Sequence, residues 1–172
     1  MKIKLHRELS IEVEPRCISV WKERLTRRSA RVTLLVDFGD QFAIVMDPLN
    51  GFWFLPGGGV EQDESIEAAA EREAAEELGL KIKIHRLMQM FHVTLISTAT
   101  REQLKIPPFI AVYVTCTGGQ LKAEYAPKRK IFLVRKDDCN NLLRDFEVPE
   151  EYECMKPYLY ISKETIREFF KY

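Results

Sequence analysis

Glu73, Glu76 and Glu77 place three carboxylates within five consecutive residues. If that stretch is helical, residues three and four apart share a face, so the acids stand within several ångströms of one another. Charges of one sign so close repel, and burial would push their pKa values up unless a hard cation is present to favour ionisation. Oxygen-only donors suit Mg2+ or Mn2+, and Mg2+ characteristically keeps waters while using a few carboxylates together with substrate phosphates. The chemistry expected of such a site is hydrolysis at phosphorus, in which coordinated water is made more acidic and a carboxylate accepts its proton. Glu73 is the first candidate for that base; Glu102 and Glu124, outside the helix, are the second choices.

The surrounding residues sharpen the pattern. From Glu61 to Leu80 the acids are Glu61, Asp63, Glu64, Glu67, Glu71, Glu73, Glu76 and Glu77, with Arg72 as the only base, so the usual Glu-to-Lys pairing of a solvated helix face is missing. Upstream, Pro56-Gly57-Gly58-Gly59 has neither the Lys-Ser/Thr ending of a P-loop nor the spaced glycines of a dinucleotide fingerprint. Its glycines permit positive φ and close backbone approach.

Taken together, Gly58-x5-Glu64-x7-Arg72-Glu73-x-x-Glu76-Glu77-x-Gly79-Leu80 resembles the signature of the Nudix (MutT-like) hydrolases, which cleave diphosphates linked to another moiety. The resemblance covers residues 31–136 and implies an α/β/α sandwich with a mixed β-sheet. It implies that Gly57, through its carbonyl, joins Glu73, Glu76 and Glu77 as metal ligands, and that Arg72 orients Glu64 and Glu76. A homodimer is a further family-based expectation. The chain departs from the family at Ala74, where a larger aliphatic is usual. It departs again at Tyr125-Ala-Pro-Lys-Arg-Lys130, where many relatives carry an acid that could serve as base. Nor does Met88 to Ser97 contain the proline that many ADP-sugar hydrolases place downstream of the helix.

Positioning these residues requires a sheet and two helices. Arg31–Phe38 and Gln41–Met46 are apolar and β-branched around Gly39-Asp40, which predicts a hairpin. After the Pro48–Gly51 turn, Phe52–Leu55 predicts a short strand entering the glycine loop. Ile66, Ala70, Ala74 and Leu78 form an apolar helical stripe, with Ser65 or Asp63 as N-cap and Gly79 as the stop, about fourteen residues in all. Leu80–Ile84, Met88–Ile96, Phe109–Cys116 and Ile131–Val134 read as strands and Ser97–Lys105 as a polar loop. The stretch from Glu147 to Pro157 reads as an irregular connection, and Ser162–Tyr172 as a helix docked on the sheet. The first thirty residues match no motif.

Length, 172 residues, fits one domain spanning 1–172. Lys plus Arg and Asp plus Glu balance at 26 each, so no overall field draws the chain to membrane or nucleic acid. The segment Met1–His6 lacks the apolar core of a signal peptide and no apolar run reaches membrane-spanning length. Cys17, Cys116, Cys139 and Cys154 have no paired spacing and read as reduced thiols, hence a cytoplasmic protein. Trp53 and Phe54, beside the glycine loop, are candidates to stack on a purine, with core packing the competing account for one of them. Lys128 and Arg129 are candidates to attract substrate phosphates. His92 reads as a core or loop histidine that forms no ligand cluster with His6 or His85.

The leading expectation is a Mg2+-dependent pyrophosphohydrolase acting on a nucleotide or nucleoside-diphosphate derivative. A non-catalytic nucleotide-binding module and an RNA-associated protein using Lys128, Arg129 and Lys130 with Arg24, Arg27 and Arg28 are the alternatives.

Overall fold

The structure is a computed structural model that describes residues 3, 5–25 and 28–171. Arg27 lies outside the described residues. Its elements are β1 (His6–Val13), α1 (Pro15–Arg24), β2 (Arg31–Asp37), β3 (Gln41–Met46), β4 (Trp53–Phe54), α2 (Ile66–Glu73), β5 (Leu80–Ser97), β6 (Gln103–Gly119), β7 (Glu124–Ala126), β8 (Arg129–Arg135), α3 (Cys139–Leu142) and α4 (Lys156–Phe169). One sheet runs in the order β1-β5-β6-β2-β3-β8-β7, with β4 paired to β3. It is mixed: β1 with β5 and β2 with β6 are parallel, whereas β5 with β6 and β3 with β8 are antiparallel.

Two apolar clusters lie against it. Alternation along β2 sends Val32, Leu34 and Val36 into one cluster with Ala69, Ala70, Ala74 and Leu78 of the acidic helix, and Leu35 into the other. The second cluster takes Cys17, Ile18 and Trp21 from α1 and Leu159, Ile161 and Ile166 from α4. Helices therefore cover both sheet faces, as the α/β/α expectation requires. Ala74, the small residue where the family usually has a larger one, is wholly buried in its cluster.

Several expectations need correction. The two strands read after Gly79 are one bulged strand, β5, whose register shifts at four places. The bulges let a strand whose apolar pattern changes phase stay in one ladder. The polar stretch from Ser97 to Lys105 is only a turn, because β6 resumes pairing at Gln103. The β2–β3 hairpin is paired at Asp37 and Phe42 alone, and the strands then diverge. At the other end of the chain, the segment read as irregular contains a 3-10 helix, Glu150–Met155, and α4 starts at Lys156, six residues before the expected start.

The N-terminal thirty residues also have structure. Along β1, burial alternates with period two, and α1 begins at Pro15, whose missing N–H and fixed φ suit a first helical position. The cysteine reading fails for one pair: Cys17 in α1 and Cys154 in the 3-10 helix are disulfide-bonded, 137 residues apart in sequence. The thiol argument for a cytoplasmic setting falls with it. No described helix is long and apolar enough to cross a membrane.

Candidate active site

The gap left where β2 and β3 diverge is filled by the glycine loop. Val32 and Leu34 donate their backbone N–H groups to the carbonyls of Gly58 and Pro56, at 2.9 and 2.8 Å, and Val60 donates to Ala30 at 2.9 Å. The loop thus runs as a makeshift strand along the first half of β2. So close an approach leaves no room for a side chain at Gly57, where φ is +145° and an added Cβ would stand 2.1 Å from the Val32 carbonyl oxygen. From the opposite face, Ser162 of α4 accepts the Leu55 N–H at 2.7 Å and fixes the entry to the loop.

The acidic helix is set behind this loop. Ser65 is the N-cap, its hydroxyl accepting from the Ala68 N–H at 3.1 Å, and Asp63 instead occupies a positive-φ turn position. Gly79 closes the helix in the left-handed conformation, φ 74°. Between them, the last turn, Ala74–Leu78, is a π-helix, which the sequence reading missed. Single π turns recur at functional sites because they re-aim side chains that a regular helix would stack.

Arg72 locks loop and helix together. Its Nε and Nη2 donate to the two oxygens of Glu64 at 2.8 and 2.9 Å, a bidentate pair, and Nη2 also donates to the Gly59 carbonyl at 2.8 Å. Nη1 donates to Glu73 at 2.9 Å and to Glu76 at 3.3 Å. The guanidinium beside it holds the Glu64 carboxyl well below the usual range, at about 2. Glu64 in addition accepts the Glu61 N–H at 2.9 Å, so the carboxylate is an anchor with no oxygen to spare for a proton.

The three glutamates are not equivalent. Glu73 is 7% exposed, and its carboxylate lies directly over Gly58, where a Cβ would meet it at 2.1 Å. Burial raises its pKa, Arg72 opposes that, and the negative charge of Glu77 adds to the rise. Glu77 is half-buried, while Glu76 is exposed and held by Arg72. Among the described residues no three His, Cys, Asp or Glu side chains converge closely enough to hold an ion by themselves. Glu73 and Glu77 do share one neighbourhood with Tyr125, whose hydroxyl feels both carboxylates and donates to the Gly57 carbonyl at 3.1 Å. Two carboxylates and one carbonyl, all oxygen, fit a cation that retains much of its water, as Mg2+ does, better than one needing a full protein cage.

Gly57 and Tyr125 also line a cleft of about 670 Å3. Phe54 and Arg129 line it and Trp53 does not, although both aromatics are buried in the α1/α4 core, at 2% and 3% exposed. Lys128 lies off the cleft, 3.8 Å from Glu151. Glu102 is paired with Lys22 at the β5–β6 turn, and Glu124 is an exposed residue of β7. Because β1 lies beside β5, His6 stacks on His92 with ring nitrogens 3.0 Å apart, whereas His85 bonds Thr115 instead. The sequence reading did not find Tyr125 or Arg31 as site residues, and it named Arg24 only for the RNA-associated alternative. The first stood only within a departure from the family pattern, and the arginines gain meaning only from what the fold sets beside them.

Comparison with known proteins bears on the family and the fold. The profile of the NUDIX domain matches residues 25–143. The ADP-ribose pyrophosphatase of Methanocaldococcus jannaschii is 34% identical over 96 residues, 56% of this chain and 52% of that protein. Diphosphoinositol polyphosphate phosphohydrolase 2 of Rattus norvegicus is 51% identical over 39 residues, 23% of this chain and 22% of its own length. The chain therefore spans about half or less of these relatives. Among solved structures, the MutT protein of Bacillus halodurans has a TM-score of 0.53 at 24% identity, covering 65% of this chain and 71% of that one. A UDP-X diphosphatase has a TM-score of 0.54 at 20% identity, covering 84% and 62%. At these identities the structures speak for the fold.

Proposed function

Since the chain belongs to the NUDIX family, whose members are hydrolases acting on phosphoanhydride bonds and generally use divalent ions, we propose that it is a Mg2+-dependent pyrophosphohydrolase. Its substrate in this reading is a nucleotide or nucleoside-diphosphate derivative, cleaved at the diphosphate linkage. Residues 1–172 act as one domain.

What supports the proposal is that Glu73 and Glu77 both act on Tyr125, whose hydroxyl donates to the Gly57 carbonyl on the lining of a cationic cleft. Glu73, Glu77 and the Gly57 carbonyl would hold Mg2+, or Mn2+, with Glu76, one oxygen of which accepts from Arg72 at 3.3 Å, as the further ligand. When bound, the ion offsets phosphate charge and makes water a better nucleophile. The remaining work falls to the chain. Glu73, buried beside the glycine loop, accepts the proton of the attacking water through an oxygen that the ion leaves free. Arg72 keeps that carboxylate in place through one nitrogen and keeps Glu64 against the loop through two others. Tyr125 holds the Gly57 carbonyl in its orientation. With Glu102 and Glu124 placed as described, Glu73 is the base this reading selects.

The named substrates of the relatives are diverse: ADP-ribose for the archaeal protein and a diphosphoinositol polyphosphate for the rat protein. The test is to incubate the purified chain with nucleoside triphosphates, dinucleoside polyphosphates, ADP-ribose, UDP-sugars and capped RNA, with and without Mg2+, and identify products by mass. Release of a nucleoside monophosphate only when Mg2+ is present supports the assignment; no product from any member of the panel overturns it.

A further inference from the structure

The cleft beside Gly57 is lined by Arg24 at the end of α1, Arg28 in the loop after it, Arg31 at the start of β2 and Arg129 at the start of β8. Among the described residues, no Asp or Glu lines it. In a chain whose charges balance overall, four cations on one cavity without an acid among them make a local positive field. Among the described residues, Arg24, Arg31 and Arg129 have no carboxylate within ion-pair distance, and Arg28 has only Glu61 at 3.7 Å.

What these arginines touch instead is aromatic. Arg24 lies 5.4 Å from the centre of the Trp21 ring, Arg31 lies 4.8 Å from that of Tyr158, and Arg129 lies 5.6 and 5.9 Å from those of Phe54 and Tyr125. Cation–π contact consumes no N–H donor, so the guanidinium edges stay available, save that Arg129 Nη1 donates to Met155 Sδ at 3.8 Å. Those edges form forks that match phosphate oxygens. Of these rings, Trp21 and Phe54 are each 2% exposed and offer a purine little surface on which to stack.

We propose that the cleft binds an oligophosphate: a substrate with three or more phosphate groups, held by guanidinium edges, whose organic part points away from the rings. The inference rests on the hydrolase reading for where the scissile linkage lies, beside Gly57 and Glu73, and adds that the rest of the substrate is read by its phosphates and not by a base. A nucleoside triphosphate or longer satisfies this; a compound with two phosphates between neutral sugars leaves part of the arginine set unmatched.

The test is isothermal titration of the full chain in EDTA, which removes divalent ions and stops turnover, with inorganic pyrophosphate, inorganic tripolyphosphate and adenosine as probes. Tripolyphosphate should bind at least tenfold more tightly than pyrophosphate, with an affinity that falls steeply as salt is raised, and adenosine should give no measurable heat. Arg24→Gln/Arg129→Gln should weaken tripolyphosphate at least tenfold; Arg24→Gln alone, an exposed change that the fold tolerates, should weaken it severalfold. Lys105→Gln, an equal loss of charge on β6 outside the cleft, should leave it unchanged. Adenosine binding as tightly as tripolyphosphate, or unaltered tripolyphosphate affinity in Arg24→Gln and the double variant, overturns the proposal. The two readings fail separately. Tripolyphosphate binding without cleavage of any diphosphate compound sinks the hydrolase assignment alone. Cleavage of such a compound without preference for tripolyphosphate over pyrophosphate sinks the oligophosphate assignment alone.

Discussion

The hydroxyl of Tyr125 and the carbonyl oxygen of Gly57 lie 3.1 Å apart, joining β7 to the glycine loop across 68 residues of sequence. In the proposed site that carbonyl faces the ion, so a donor on one of its lone pairs fixes the direction of the other. Tyr125→Phe removes the donor and keeps the ring. It should raise the Mg2+ concentration for half-maximal activity by about tenfold, the worth of one hydrogen bond near 1.4 kcal/mol, with little change in melting temperature. An unaltered Mg2+ titration would show that Tyr125 only packs.

Glu73 should couple metal binding to protons. Burial raises its pKa, so in mildly acidic solution the metal-free protein holds a proton there that a cation must displace. Mg2+ binding, followed calorimetrically in buffers of different ionisation heat, should release protons at acidic pH and fewer as pH rises. Glu73→Gln should abolish the release and lower kcat by at least about a hundredfold, within the usual worth of a general base. Proton release equal in the variant and the parent would assign it elsewhere.

The Arg72–Glu64 pair predicts a pH-dependent stability. The folded pKa of Glu64, about 2, lies below its ordinary value, so its contribution is complete above about 4.5 and fades as pH falls towards 2. Glu64→Gln should cost about 2 kcal/mol at pH 7 in urea denaturation, and the gap between variant and parent should narrow below pH 4. A gap that stays constant with pH would mean that packing, not charge, sets it.

Two adjacent glycines should fail in different ways. At Gly57 an alanine meets the backbone of β2, which cannot yield, at a φ that L side chains rarely adopt, so Gly57→Ala should lower stability by about 3 kcal/mol or more. At Gly58 the obstacle is the Glu73 carboxylate, the far end of a flexible side chain. Gly58→Ala should leave the melting temperature within a few degrees of the parent while reducing turnover severely. Equal loss of stability in both would refute the distinction.

Cys154→Ser should lower stability by about 2–4 kcal/mol under oxidising conditions, because the bridge to Cys17 closes most of the chain into a loop. Under reducing conditions parent and variant should unfold at nearly the same denaturant concentration; a difference that persists there would point to packing of the sulfur.

What could be read along the sequence was local. Ser65, the alanine and leucine stripe and Gly79 announce the acidic helix because caps and apolar spacing act within one element. The π turn leaves no such trace, since Ala74–Leu78 suits a regular helix equally well. Leu9, Ile11 and Val13 alternate with polar neighbours, a period-two signal for β1 that was present but unread. The cationic cleft was legible only in part: Arg24, Arg28 and Arg129 were grouped for the RNA-associated alternative, without Arg31 and without a shared cavity. Its arginines come from α1, the loop after it, β2 and β8, and only the sheet order makes them neighbours. For Trp53 and Phe54 the sequence reading kept core packing for one of them, whereas the fold buries both beside α1 and α4 and brings only Phe54 of the two to the cleft.

The pairing of the glycine loop with β2 has an evolutionary corollary. Arg31 and the Gly57 carbonyl belong to strands laced by the same ladder, so any drift in that ladder moves ligand recognition and bond cleavage together. Lineages that change what such a pocket accepts would be expected to do so at α1, α4 and β8, where side chains can be exchanged without disturbing the catalytic register.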